Sequence, residues 1–209
     1  DCGVYRVLKP KETPSQQTQE QVLRAARERV SLRGIERIFK VYRQTVAKWI
    51  RAYLKQLLVL VDTLLLYEVG DVLEIDELWS FVLGKDHKRW ISVALCRPTR
   101  QIVAFYIGKR DEKAARQREQ RIPYPYTLCP MYTDQYAAYQ GVLPEHLHGS
   151  KEKKSGATSL IERWNNTLRQ RLARFVRKTL SFSKSDIMHH ILLEWFIIEY
   201  NLEVASLTT

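Results

Sequence analysis

Three acidic residues fall where a chain could hold a hard cation: Asp76 in VLEIDELWSFV, Asp134 in PMYTDQYAAY and Glu162 in TSLIERWNNTLRQRL. Asp76 sits inside an apolar, β-branched run that reads as a buried strand. An ionised carboxylate there is costly unless a cation or a donor compensates it. Asp134 ends a second such run, and Glu162 opens a helix crowded with arginine. Two divalent ions about 3.5 to 4 Å apart, held by such carboxylates, activate a water or hydroxyl and stabilise the leaving oxygen in phosphodiester chemistry. Oxygen ligands with no soft partner favour Mg²⁺ or Mn²⁺ over Zn²⁺. Acidic residues at strand ends also serve as solvated turns or helix caps, so the three carboxylates alone leave that ordinary reading open.

The elements that must position them are legible around each residue. Val72 to Leu83, Trp90 to Cys96 and Gln101 to Gly108 are rich in Ile, Val, Phe and Tyr, with KDHKR and RPTR between them, and predict three strands paired antiparallel. A helix over Asp111 to Gln120 then crosses to a strand near Thr127 to Thr133, expected beside the first, which would bring Asp134 toward Asp76. Tyr136 to Leu143 suits a short helix. Pro144 to Thr158 is polar and basic and reads as an active-site loop, with room for one short strand near His146 to Gly149. Glu77 has the opposite parity to Asp76 on its strand and is a poor ligand, whereas Glu74 shares that parity and ranks second as a candidate.

IDELWSFV, MYTDQYAAY and, above all, IERWNNTLRQRLARFVRKTLSFSKS from Ile161 to Ser185 resemble the transposases of the insertion sequence 1 family. The likeness runs from about Glu74 to the C-terminus and is weaker upstream. It implies an α/β (α+β) chain whose catalytic domain is RNase H-like with a mixed sheet. It also implies a DDE triad on Asp76, Asp134 and Glu162 holding two Mg²⁺ or Mn²⁺ ions, with Asp76 bridging both. In that chemistry water cleaves a strand, and the freed 3′-hydroxyl attacks target DNA without a covalent protein intermediate. The family commonly carries a four-cysteine zinc element before its DNA-binding helices. Cys2 looks like the last ligand of one, and a single cysteine cannot close such a site, so no zinc is expected in residues 1 to 209.

Upstream, Val4 to Gln17 reads as a linker, and helices are expected at Thr18 to Val30, at SLRGIERIF with Ser31 as its N-cap, and at Arg43 to Leu57. Three such helices suggest a helix-turn-helix whose last member offers Arg43, Gln44, Thr45, Lys48 and Arg51 to DNA, although an amphipathic helix with a solvated basic face has the same pattern. The family likeness favours DNA, and a fragment from Val4 to Leu57 is expected to bind it. Leu54 to Tyr67 is too apolar for a solvated linker and suits a connector or a dimer surface. The expected units are residues 1 to 17, a zinc-element remnant and linker; 18 to 69, the helix-turn-helix and connector; and 70 to 209, the catalytic domain.

A net charge of +11 and a pI near 9.6 over 209 residues favour a polyanionic partner. Between Lys151 and Lys184, ten basic residues face only Glu152 and Glu162. Within that span Arg163, Arg169, Arg171, Arg174, Arg177 and Lys178 are candidates for DNA phosphates, while Leu160, Ile161, Trp164, Leu168 and Leu172 form a core-facing stripe. The five histidines show no metal-ligand spacing with cysteine, and Cys2, Cys96 and Cys129 are too scattered for a disulfide scaffold. No stretch is long and apolar enough to span a bilayer, which with the cysteine usage points to the cytoplasm and the nucleoid. Ser183 to Tyr200 predicts a packing helix that could also support a homodimer or larger assembly on DNA. Two other readings use the same residues: a structure-specific nuclease or resolvase, and a domesticated DNA-binding scaffold.

Overall fold

The computed structural model describes residues 13–133, 142–150 and 159–208. Three short helices come first: α1 (Gln16–Ala26), α2 (Leu32–Phe39) and α3 (Arg43–Leu54). Each start follows from local chemistry. Ser15 caps α1 by accepting from the Thr18 amide, so the helix begins two residues before the expected Thr18. The Ser31 hydroxyl accepts from the Gly34 amide at 3.0 Å and starts α2, as expected. Lys40, in the left-handed region at φ 57°, ends α2 and turns the chain into α3 within three residues.

A five-stranded mixed sheet follows, with β1 (Leu73–Phe81), β2 (Lys88–Cys96), β3 (Ile102–Gly108), β4 (Met131–Thr133) and β5 (His148–Ser150). Its order is β3-β2-β1-β4-β5. The first three strands pair antiparallel as short hairpin loops dictate, and β4 lies parallel to β1, where the sequence placed it. β4 is shorter than expected, because Tyr126–Leu128 coil into a single tight turn before it. Helix α4 (Glu112–Glu119), capped by Asp111, covers one face of the sheet together with Tyr126 and Cys129. Burial pushes the Cys129 thiol up to about 12, which suits a packing residue. Helices α5 (Ser159–Arg171) and α6 (Asp186–Thr208) cover the other face.

Helix α6 serves two cores. Leu193, Phe196 and Ile197 pack toward the sheet, while Met188, Leu192 and Trp195 pack among Val22, Ile35, Val46 and Ile50 of the helical trio. A helix that is apolar all round is one buried on all sides, and α6 meets that description for most of its length. Around it, Glu199 accepts from the Trp195 indole at 2.8 Å and from the Tyr53 hydroxyl at 3.2 Å, and pairs with Arg27. The trio therefore borrows part of its core, and a fragment ending at Leu57 lacks Met188, Leu192 and Trp195.

The connector between α3 and β1 leaves the helix at Leu54 and passes through a 3₁₀ turn at Leu60–Thr63. Buried amides pin it. Gln101 donates to the Thr63 carbonyl at 2.7 Å and accepts from the Leu65 amide at 2.8 Å. Asn201 donates to the Thr63 hydroxyl and the Ile102 carbonyl and accepts from the Ile102 amide at 2.8 Å. Replacing Asn201 with Ala leaves these fully buried groups unpaired, and we expect a loss of about 2 to 4 kcal/mol. Denaturant unfolding at matched m-value measures it; a loss within about 0.5 kcal/mol would show that the network contributes little.

Candidate active site

Alternation along β1 sends Glu74, Asp76 and Leu78 to the face covered by α5 and α6, and Leu73, Ile75 and Glu77 to the other. Glu77 there pairs with Arg110 at 2.8 Å, in keeping with its poor standing as a ligand. Asp76 is half-buried, and its Oδ2 accepts from Asn165 Nδ2 on α5 at 2.8 Å. Asn165 lies three residues after Glu162, so the exposed Glu162 projects from the same side of α5. Thr133 closes β4 beside this part of β1, with Glu74 in register with Tyr132. Asp134 comes next in the chain and lies outside the described residues, as do 136–141 of the expected helix and 151–158 of the expected loop. Among the described residues no three His, Cys, Asp or Glu side chains gather as a metal site.

Glu74 has a different task from the one its parity suggested. Its side chain is 1% exposed, and Oε1 accepts from Arg97 Nε at 2.9 Å. Oε2 accepts from the backbone amides of Leu160 and Ile161, each at 3.0 Å. The first amides of a helix have no partner within it and carry its positive dipole end, so a carboxylate is a favourable acceptor there. Glu74 thus fastens the start of α5 to β1, and it is spent on that contact instead of competing for a cation. The result fixes the helix of Glu162 against the strand of Asp76.

Three polar atoms on α5 are buried and lack a hydrogen-bond partner among the described residues: Trp164 Nε1, Asn165 Oδ1, on a residue 5% exposed, and Arg169 Nε. The Arg169 guanidinium feels both burial and Arg177, which lower its pKa, and Asp76, which raises it. It therefore lies within electrostatic reach of the strand carboxylate. An unpartnered amide oxygen, a half-buried carboxylate and a second carboxylate one turn away are all hard oxygen donors, and they fit Mg²⁺ or Mn²⁺ better than zinc.

An IS1 transposase family profile matches residues 71–202, more than half of the chain. The chain belongs to the IS1 transposase family. Insertion element IS1 4 protein InsB of Escherichia coli (strain K12) is 37% identical over 116 residues, 56% of this chain and 67% of that protein. The IS1 protein InsB of Shigella flexneri is also 37% identical over 116 residues, 56% of this chain and 86% of its own. The iso-IS1n protein InsB of Shigella dysenteriae is 31% identical over 126 residues, 60% of this chain and 93% of its own.

In this IS1 transposase family member the basic candidates divide by environment. Arg43, Gln44, Lys48 and Arg51 are exposed on α3 and Thr45 is half-buried, while Val46 and Ile50 turn inward. Arg163, Arg177 and Lys178 are exposed. Arg171 is engaged within the protein: it pairs with Glu28 after α1 and Glu203 on α6, both at 2.9 Å, so its first role is to join three helices. Arg174 is partly buried, and desolvation takes its pKa down to about 10, which leaves it charged at neutral pH. Two histidines have structural partners. His148 shares a hydrogen bond with Thr133 Oγ1 at 2.8 Å, and its pKa is lowered by burial and then by Arg118. His189 is buried against Ser183 Oγ, and burial pushes its pKa down to about 4. Among the described residues no helix is long and apolar enough to cross a membrane.

Asn165 and the clamping role of Glu74 escaped the sequence. The signal that could have found Asn165 is its i+3 spacing from Glu162.

Proposed function

We propose that the chain is a DDE transposase. On this reading Asp76, Asp134 and Glu162 support metal-dependent cleavage of a DNA strand and transfer of the resulting 3′-hydroxyl to target DNA during insertion-sequence transposition. The observation that carries it is the fastening of α5 to β1 through Glu74 and through the Asn165–Asp76 hydrogen bond, which holds the Glu162 helix on the Asp76 strand. A sheet with β1 central, β2 and β3 antiparallel beyond it and β4 parallel on its other side supports an RNase H-like fold. When bound by these carboxylates, Mg²⁺ or Mn²⁺ supplies Lewis acidity at the phosphodiester and lowers the pKa of bound water.

The chain's own residues do the remaining work. Glu74 and Asn165 orient the carboxylates, and Arg169, close to Asp76 with an unpartnered Nε, meets a phosphate oxygen beside the cleaved bond. Arg163, Arg177 and Lys178 extend that basic track along exposed surface. The reaction takes place on DNA at the nucleoid, in a homodimer or larger assembly, and exposed Leu58, Val59, Val61, Leu66 and Val69 of the connector supply apolar surface for association. A strand-transfer assay with and without Mg²⁺ tests the proposal. Cleavage without joining would instead indicate the nuclease or resolvase reading, and binding without either would indicate the scaffold.

The trio α1 to α3 acts as a helix-turn-helix, with α3 as the helix that enters the major groove. Arg43→Ala combined with Lys48→Ala, made in the full chain, should reduce the log-log salt dependence of binding to terminal DNA by about two units, roughly one for each phosphate left without its cation. Titration at several salt concentrations measures the slope, and an unchanged slope would return α3 to the status of a solvated basic helix.

A further inference from the structure

Resting on that reading of the carboxylates, we infer that Asn165 is a further member of the ion-binding set: it orients Asp76 through its amide nitrogen and offers its own amide oxygen to a divalent ion or to water bound on one. Three observations converge on it. First, Asn165 is only 5% exposed on a helix whose neighbouring inward positions, Ile161, Trp164 and Leu168, are all apolar. A buried primary amide in such a stripe is costly unless its groups are used. Second, one half of the amide is used, and on the acid itself: Nδ2 donates to Asp76 Oδ2 at 2.8 Å. A donor on one carboxylate oxygen fixes the plane of the group. Third, the other half is idle, since Oδ1 is buried and accepts from nothing among the described residues.

The arrangement differs from that of a structural asparagine elsewhere in the fold. Asn201, in the same protein, satisfies both ends of its amide by giving two hydrogen bonds and accepting a third. Asn165 satisfies one end on the candidate ligand and holds the other, an oxygen of the type that Mg²⁺ and its waters prefer, in the same place. Its position three residues after Glu162 makes the two residues neighbours on the helix. Groups that orient metal ligands typically change metal affinity by about 10- to 100-fold when removed, and that sets the size of the effect to look for.

The test uses the full chain and Mn²⁺ alone as the probe, with free Mn²⁺ followed by electron paramagnetic resonance. The parent should bind Mn²⁺, Asp76→Asn should abolish that binding, and Asn165→Leu, with the same branched outline but bulkier and without polar atoms, should weaken it by about tenfold or more. DNA affinity in the presence of a chelator should be unchanged in Asn165→Leu. Strand cleavage, lost at low Mn²⁺, should return as Mn²⁺ is raised to saturation, which a distorted fold would not allow. Where Asn165→Leu lowers the melting temperature, Asn165→Ser serves in its place. Parent-like Mn²⁺ affinity in a folded variant overturns the role of Asn165 and leaves the carboxylate assignment standing. Equal Mn²⁺ binding by the parent and Asp76→Asn overturns the carboxylate assignment, and the inference with it.

Discussion

Asp76→Asn, Asp134→Asn and Glu162→Gln should each lower DNA cleavage and strand transfer by on the order of a thousandfold or more, about 4 kcal/mol of transition-state stabilisation. Binding to DNA should remain close to that of the parent. Each change is nearly isosteric and removes a formal charge, so its cost falls on the capacity to hold a cation. At position 76 the substitution also preserves an oxygen that can accept from Asn165 Nδ2, so the junction between β1 and α5 survives. Single-turnover cleavage of a labelled element-end duplex measures the loss, with a gel-shift titration as the binding control. Activity within about tenfold of the parent would remove that residue from the site.

Glu74 should give the second large effect, and through a different route. Glu74→Ala strands the Leu160 and Ile161 amides at the start of α5 and deprives Arg97 of a carboxylate that is itself almost fully buried. Breaking a buried charged contact from one side is expensive, but Arg97 is 36% exposed and can be rehydrated, so the expected loss is about 2 to 4 kcal/mol. For a chain of this size that corresponds to a fall in Tm of very roughly 4 to 16 °C. Glu74→Gln retains an acceptor for the helix amides and should fold, yet cleave about 10- to 100-fold more slowly, since a slackened α5 misplaces Glu162 relative to Asp76. Calorimetry and cleavage rates together check this. A Glu74→Gln protein with parent stability and parent rate would show that the clamp is dispensable.

What could be read in advance, and what could not, divides by the range of the interactions. Strands β1 to β3 and the Ser31 cap follow from apolar, β-branched and aromatic runs between polar connections and from hydroxyl chemistry acting within three residues, both of which are local. Asp76 stood out because a carboxylate in an apolar run is an anomaly whatever the tertiary structure. The family likeness supplied the reading of the triad; the described residues add the partners of Asp76 but do not include Asp134. Glu74 was ranked by strand parity, which gave its face correctly. Its partners on α5 are more than eighty positions away in the chain, and no local pattern announces them. Arg171 shows the same limit: in sequence it is one more cation in a basic run, and only folding brings Glu28 and Glu203 to it. The doubled apolar faces of α6 were legible as hydrophobicity but not as two separate destinations.

On the proposed reading, that shared helix sets the spacing between two points of DNA contact. Met188, Leu192 and Trp195 seat α1 to α3 on α6, while Leu193, Phe196 and Ile197 seat α6 on the sheet, and the connector is fastened by Gln101 and Asn201. On the proposed reading, the bases met by α3 and the bond met by Asp76 are therefore held at a fixed gauge, like the two jaws of a calliper clamped on a common bar. Because a duplex turns once in about 10 base pairs, lengthening the DNA between the two points by roughly 5 would rotate the scissile phosphate to the far side of the helix. The terminal sequence of the element and the span of α6 would then have to change together.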